Sequence, residues 1–83
     1  MIYEKYDIIT FDDDDKVVVL ETLLYNGIGY LYVDKVDKEE KNTLNKFHIL
    51  RINEDGYLQK ETNTDVLMEI LPLFNTKIKL TEE

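Results

Sequence analysis

Residues 17–33 read Val-Val-Val-Leu-Glu-Thr-Leu-Leu-Tyr-Asn-Gly-Ile-Gly-Tyr-Leu-Tyr-Val, two β-rich runs joined by Asn26-Gly27. Asn-Gly tolerates the positive φ angles of a type I′ turn, and that turn matches the twist of the strands on either side of it. The stretch therefore predicts a central hairpin with strands at residues 17–25 and 28–33. The rest of the chain is arranged around this hairpin.

Further strands are predicted on both sides of the hairpin. Residues 6–11 are rich in β-branched and aromatic side chains and predict a first strand; residues 46–53 and 57–60 predict a fourth and a short fifth. Asp55-Gly56 suits the turn between the last two. Residues 34–45 have mixed charge without alternation, which predicts an exposed, mobile loop.

Strict alternation along the hairpin predicts a sheet that is apolar on both faces. In the second strand it groups Val18, Leu20 and Leu24 on one face, and Val17, Val19, Leu23 and Tyr25 on the other. In the third strand it sets Ile28, Tyr30 and Tyr32 against Leu31 and Val33. A strand with apolar side chains on both faces is typical of the centre of a sheet. Both faces therefore need cover.

One amphipathic helix is predicted near the C-terminus. Thr64 suits the N-cap and Asp65 favours the positive end of the helix dipole. One helical face collects Val66, Leu67, Ile70, Leu71 and Phe74. Pro72 predicts a kink or an early end, because its ring clashes with the carbonyl of Met68 and removes one backbone donor. Ile78 and Leu80 then form an irregular apolar tail.

These elements predict a single α+β domain over residues 1–83: an antiparallel four- to five-stranded β-meander with a C-terminal helix packed on one face. The chain has no cysteine, so no disulfide or thiolate metal site stabilises it. Hydrophobic residues at 43% and charged residues at 34% are typical of a folded protein. Since one helix covers one face, the other becomes a candidate protein-contact surface, with Val17, Val19, Tyr30 and Tyr32 as its contact residues.

The charge balance is acidic, with 18 Asp and Glu against 10 Lys and Arg and a formal net charge of −8. Such a field repels phosphate backbones, which argues against direct nucleic-acid binding, and it suits a basic protein partner. Asp12, Asp13, Asp14 and Asp15 are the densest acidic cluster and a candidate contact with such a partner. They also predict a solvated turn between the first two strands.

No apolar run approaches the roughly 20 residues that span a bilayer, and the N-terminus lacks the basic and apolar regions of a signal peptide. The sequence therefore predicts no membrane contact and a cytoplasmic protein.

Catalytic, cofactor and metal signatures are missing from the sequence. The four aspartates lack the alternating ligands, central glycine and distal glutamate of an EF-hand, so a turn is preferred to a metal site. His48 is the sole histidine and has no sequence partner for nucleophilic or metal chemistry, which favours a packed strand residue over a general base. Gly27 and Gly29 shape the backbone and are no dinucleotide fingerprint. We expect no enzyme and no cofactor.

The tyrosines and Arg51 have a structural and a functional interpretation. Tyr25, Tyr30 and Tyr32 lie close together on the hairpin, where ordinary sheet packing competes with a protein-binding or self-association face. Arg51 is expected to pair with nearby acids rather than to hold a phosphate.

Three segments carry a resemblance to a known family: Ile8-Ile9-Thr10-Phe11-Asp12-Asp13, residues 23–31 and residues 49–56. With residues 65–75 as a helix ending in Phe74-Asn75, the chain resembles the YrzB-like small acidic domain-of-unknown-function family of low-GC Gram-positive bacteria. The resemblance implies a cytoplasmic bacterial protein and no established activity. The chain departs from that family where lysines interleave with the acids of residues 34–45 and where Pro72 interrupts the helix.

Two functions follow as expectations. The first is a non-catalytic protein-interaction module that self-associates, as a homodimer, through its sheet. The alternative is an acidic inhibitor that occupies a basic, nucleic-acid-binding cleft with carboxylates in place of phosphates.

Overall fold

The computed structural model describes residues 2–81, and it describes the side chains of residues 2–79. The elements in chain order are β1 (Ile8–Thr10), β2 (Lys16–Tyr25), β3 (Ile28–Val36), β4 (Thr43–Ile52), β5 (Leu58–Lys60) and α1 (Thr64–Thr81). The strands form one sheet in the order β1-β2-β3-β4-β5, and each neighbouring pair is antiparallel. The predicted α+β meander with a helix on one face is confirmed.

The central hairpin turns at Asn26 and Gly27. Their φ angles are 52° and 76°, and Tyr25 pairs with Ile28 across the turn. Both turn residues thus adopt the left-handed backbone that a type I′ turn requires, which glycine adopts without a steric penalty and asparagine tolerates. The hairpin predicted from the sequence is confirmed.

A β-bulge at Leu20 divides β2 into two parts. Val19 pairs with Val33 but Glu21 pairs with Tyr32, so Leu20 is an extra residue without a partner of its own. An extra residue reverses the alternation of side chains beyond it. Strict alternation along residues 17–25 is therefore wrong.

The helix closes one face of the sheet, which we call the helix face. Its buried cluster consists of Leu23, Tyr30, Ile49, Ile70 and Phe74, with Tyr25, Tyr32, Val66 and Leu67 packed against it. The Tyr32 ring lies 5.7 Å from the centroids of both Phe47 and Phe74, stacked on the first and tilted to the second. The predicted apolar helix face is confirmed at Ile70 and Phe74, while Leu71 remains 37% exposed.

The opposite face, which we call the curl face, is closed by the curvature of the sheet. Its buried cluster consists of Val17, Val19, Leu31, Val33 and Leu50. Side chains from near the two edges of the sheet and from the N-terminal segment pack against it: Tyr3, Ile9, Phe11, Ile52 and Leu58. A twisted sheet can fold its edges toward each other in this way, so no second helix is needed.

The predicted contact set of Val17, Val19, Tyr30 and Tyr32 does not share one face. The bulge leaves Val17 and Val19 on the curl face, at 3% and 0% exposure, whereas Tyr30 and Tyr32 lie on the helix face. Tyr30 is 3% exposed and Tyr32 is half-buried. The interpretation of these four residues as one uncovered surface is therefore wrong.

Strands β3 and β4 extend into the segment that was predicted to be a loop. Only residues 37–42 connect them, and the backbone N–H of Asp37 donates to the Asn42 carbonyl over 3.0 Å. The pairing register of β3 and β4 shifts between Asp34 and Val36, and Asn45 on the facing strand has a φ of 56°. At this point the buried Asp34 carboxylate accepts the Lys46 N–H at 2.8 Å. A loop over all of residues 34–45 is therefore wrong, because β3 and β4 extend into this segment, while residues 38–45 are exposed as predicted.

The helix differs from its prediction at both ends. The side-chain oxygen of Asn63 accepts the N–H groups of Asp65 and Val66, at 3.0 and 3.4 Å, so Asn63 rather than Thr64 is the N-cap. The helix continues through Pro72 to Thr81. Pro72 is exposed, while Ile70 and Phe74 on either side of it are fully buried. The predicted early end and the irregular tail are therefore wrong, because packing outweighs one lost hydrogen bond.

Candidate functional site

The meander places its turns alternately at two ends of the sheet. The charged end holds the β1–β2 and β3–β4 turns, and the hairpin end holds Asn26-Gly27 and the β4–β5 turn. The ten residues of β2 separate the ends by roughly 30 Å, at about 3.3 Å per residue. That separation is nearly four Debye lengths at physiological salt, at about 8 Å each, so the charges of one end act weakly on the other.

A groove of about 620 Å³ opens at the hairpin end. Its apolar walls are Ile2, Leu24, Ile28 and Ile52; the backbones of Gly27, Gly29 and Gly56 and the polar residues Asn53 and Glu54 complete it. We call it the hairpin-end groove. Its volume lies within the range of natural binding pockets, roughly 300–1,000 Å³.

The groove has an exposed apolar lining. Ile2 is 76% exposed, Leu24 is 69% exposed and Ile28 is 37% exposed. Leu24 pairs across the strands with Gly29, which offers no side chain to cover it. The bulge and the glycine together therefore leave a leucine facing solvent beside an apolar groove.

Hydrogen bonds hold the polar rim of the groove in place. The Asn53 N–H donates to the Tyr57 carbonyl and the Gly56 N–H to the Asn53 carbonyl, at 2.8 and 2.9 Å. The Asn53 side chain accepts from Arg51 Nε at 3.1 Å and donates to Gln59 at 3.2 Å. Arg51 also lies 3.8 Å from Glu61, as the expected ion-pair partner of an acid. Hydrogen bonds within the chain thus fix both the backbone and the side chains of this rim.

The four aspartates of the charged end are exposed and form the expected turn. Asp14 has a φ of 67°, its N–H donates to the Phe11 carbonyl, and Asp13 accepts the Asp15 N–H at 3.1 Å. Lys35 lies 3.3 Å from Asp15. Among the side chains of residues 2–79, no three His, Cys, Asp or Glu converge in a way that could hold a metal ion.

The β3–β4 turn adds further charges to the same end. Lys16 of β2 pairs with Glu40 at 2.9 Å. Hydrogen bonds to the Asp37 carboxylate, first that from the Lys41 N–H at 2.9 Å, lower the pKa of Asp37. Lysines thus divide the acidic surface. The mimicry of a nucleic acid stays a prediction, and this interleaving of charges counts against it.

Glu21 is a buried carboxylate, 4% exposed, at the point where β2 changes face. Its Oε2 lies 3.2 Å from Lys5 Nζ, an ion pair without hydrogen-bond geometry, and its Oε1 lies 3.9 Å from Lys77 Nζ. Lys77 also donates to the Thr22 carbonyl, and the Thr22 N–H donates to Glu21 Oε1 at 3.1 Å. β1 pairs with only the first part of β2, and these two hydrogen bonds satisfy the N–H and C=O of Thr22 on the strand edge that β1 leaves uncovered.

The central tyrosines are packed on the helix face. The Tyr25 hydroxyl donates to Glu69 at 3.0 Å, and this hydrogen bond raises the pKa of Tyr25. Burial, followed by the negative charge of Glu61, raises the pKa of Tyr30. Tyr25, Tyr30 and Tyr32 all belong to the packed helix-face cluster, which favours the sheet-packing interpretation of these tyrosines.

His48 lies on the curl face among charged side chains. Burial lowers its pKa first, and the positive charges of Lys60 and Lys35 lower it further. The sequence interpretation of His48 as a strand residue is confirmed, since it pairs with Val33 in the β3–β4 ladder.

No family model matches the chain, and no curated protein or solved structure is significantly similar to it. The YrzB-like resemblance therefore stays a prediction. Within residues 2–81, no helix is long and apolar enough to cross a membrane.

Sequence reasoning missed Leu24, Ile28, Ile2 and Ile52 as the walls of one groove. Strict alternation placed Leu24 with Val18 and Leu20, whereas the bulge moves it to the face of Val17 and Val19. The available signal was Gly29, directly across the hairpin from Leu24, because a glycine opposite a leucine leaves that leucine uncovered.

Proposed function

We propose that this chain is a non-catalytic, cytoplasmic protein-interaction module that binds its partner through the hairpin-end groove. The observation that carries the proposal is the exposure of Leu24 and Ile2, at 69% and 76%, around an apolar groove of about 620 Å³. Contiguous exposed apolar surface with a polar rim is typical of protein contact sites. Full burial of each of these side chains is worth about 1.5–3 kcal/mol before the entropic cost of association is subtracted.

The distribution of charge favours a second copy of the chain as the partner. A net charge of −8 opposes self-association, but the four consecutive aspartates lie at the charged end, roughly 30 Å away. Contact through the hairpin end keeps those aspartates apart. Glu54 and Asp55 are the acids of the β4–β5 turn, and both are exposed at the rim, where water screens them. A two-fold contact would place the same apolar walls against each other.

Sedimentation velocity across a concentration series tests the proposal. We expect the mass of the wild-type chain to rise with concentration, and Leu24→Lys to weaken that association at least about tenfold, a loss of about 1.4 kcal/mol. Met68→Lys is the matched control, since Met68 is 70% exposed on the helix and lies outside the groove. If both variants weaken association equally, the groove is not the contact.

A chain that stays monomeric at every concentration rules out self-association, and the test then moves to other partners. Affinity capture from the source cell, with wild-type and Leu24→Lys chains as baits, compares the recovered proteins by mass spectrometry. Proteins that are recovered with the wild type and with Met68→Lys but not with Leu24→Lys would support the groove as the contact site. Identical recovery with all three baits contradicts it.

A further inference from the structure

A second, smaller pocket of about 240 Å³ opens on the curl face, away from the hairpin-end groove. Its apolar floor includes Val17, Val33 and Leu50, three members of the buried curl-face cluster. Since a water molecule takes about 30 Å³ of liquid volume, the pocket has room for about eight waters or a similarly small ligand.

Basic side chains surround the opening of this pocket. Lys35, His48 and Lys60 line it together with a single carboxylate, that of Asp15. The register explains why they meet: Lys35 pairs with Val17, His48 with Val33 and Lys60 with Leu50, so all three stand on the same face as the floor. With His48 neutral, two lysines against one aspartate give the opening a formal charge of +1, in a chain of net charge −8.

The Asp15 carboxylate at the opening offsets the charge of one lysine only in part. Asp15 pairs with Lys35 at 3.3 Å, and its side chain is 53% exposed to solvent. After burial, the charges of Lys60 and Lys35 lower the pKa of His48, and the Asp34 carboxylate opposes them. The opening therefore attracts a negative group while the floor attracts an apolar one.

We propose that this pocket binds a small free monocarboxylate with a short aliphatic chain, its carboxylate between Lys60 and His48 and its chain on Val17, Val33 and Leu50. The apolar floor favours such an amphiphile over phosphate, which offers nothing to bury. The net charge of the protein also disfavours a dianion more than a monoanion. This site is independent of the proposed hairpin-end contact.

Hexanoate, with eight non-hydrogen atoms, is the probe of suitable size. We expect a Kd of about 1 mM, from saturable amide shifts at His48, Leu50 and Leu58 in nuclear magnetic resonance spectra of the full chain. We also expect the pKa of His48 to rise when hexanoate is bound, because a carboxylate beside the imidazole favours its charged form. The charges of Lys35, Lys60 and Asp34 also act on this imidazole, so the shift is measured against the unliganded protein.

Hexan-1-ol and hexylammonium have the same chain without a carboxylate. We expect both to bind at least about tenfold more weakly than hexanoate. Lys60→Glu should weaken hexanoate about tenfold, and Lys79→Glu, an equal charge change on the helix, should not. Lys60 is exposed, and an unchanged far-ultraviolet circular dichroism spectrum verifies that its variant is folded. Three results would each overturn the proposal. Hexan-1-ol could bind as tightly as hexanoate, no saturable shifts could occur up to 20 mM hexanoate (about twenty times the expected Kd), or the shifts could be confined to the hairpin end.

Discussion

The two faces of the sheet are closed by different means. On the helix face, an element from the far end of the chain supplies the buried Ile70 and Phe74. On the curl face, the sheet covers itself with side chains from its own margins, such as Ile9 and Leu58. A small antiparallel sheet with two apolar faces therefore needs only one helix, provided that a bulge assigns the side chains of its central strand to the correct faces.

The first test shifts one part of β2 against β3, and it has the largest expected effect. Deleting Val18 moves a buried valine off the curl face, namely Val17 if the bulge persists and Val19 if the bulge is lost. We expect this deletion to remove much of the roughly 5–15 kcal/mol that stabilises a folded domain. Deleting Leu20 instead makes Val19 and Glu21 consecutive, so their pairs with Val33 and Tyr32 are kept and no buried side chain changes face. That deletion should cost at most about 2 kcal/mol. Urea unfolding followed by circular dichroism measures both; equal losses would show that the bulge does not divide the strand.

The second test compares the two faces directly. Phe74→Ala on the helix face should cost about 3–5 kcal/mol, and Leu31→Ala on the curl face about 2–5 kcal/mol, because both side chains are fully buried. Ile70→Val removes a single methylene and should cost only about 0.5–1.5 kcal/mol. Urea midpoints at an unchanged slope report these differences. A cost below about 1 kcal/mol for Leu31→Ala would mean that the curl face is not a packed core.

The sequence predicts the features that local chemistry controls. Asn26-Gly27 specifies the turn, and the spacing of Ile70 and Phe74 specifies the buried side of the helix. The bulge at Leu20 is not predictable in this way, because leucine has no special backbone preference and the extra residue is stabilised by pairing and burial elsewhere. The curl that covers Val19 is likewise a property of the whole sheet.

The remaining errors have the same origin in tertiary structure. Residues 34–36 and 43–45 belong to strands despite their polar sequence, since the pairs Asp34–Phe47 and Val36–Thr43 and the hydrogen bond to the buried Asp34 offset their weak strand propensity. The helix passes Pro72 because Ile70 and Phe74 are anchored on both sides of it. For the candidate site, the glycine opposite Leu24 was visible in the sequence, but the face on which Leu24 lies depends on the bulge.

The third test concerns Glu21, which the bulge places on the helix face between Lys5 and Lys77. Glu21→Gln keeps the shape and an acceptor for the Thr22 N–H but removes both ion pairs. We expect a loss of about 1–2 kcal/mol, less than for a fully buried pair, because the two lysine side chains are 30% and 43% exposed and can turn to water. Thermal unfolding at low salt measures it. Asp55→Asn, at an exposed turn position, should change stability by less than about 0.5 kcal/mol.

The smallest expected effects are those of pH on stability. On the curl face stability falls toward acid, and on the helix face it falls toward alkali. On the curl face, burial lowers the pKa of His48 below 6.5, so the unfolded chain binds its proton more readily. Stability from this group is complete above pH 6.5 and is lost as the pH falls through the folded-state value. On the helix face, burial raises the pKa of Tyr30 above 10, so its contribution is complete below pH 10 and is lost as the pH rises through the folded-state value.

The measurement is the free energy of unfolding across the pH range for the wild type, His48→Gln and Tyr30→Phe. Subtracting the value of each variant from that of the wild type isolates the contribution of its one titrating group from those of the many carboxylates. The difference for His48→Gln should diminish only toward acid, and that for Tyr30→Phe only toward alkali, because each variant lacks one titrating group. A difference for His48→Gln that stays constant from pH 7.5 to 4.5 would show that water reaches the imidazole freely. The margins of the sheet would then shield the curl face less well than the helix shields the face of Tyr30.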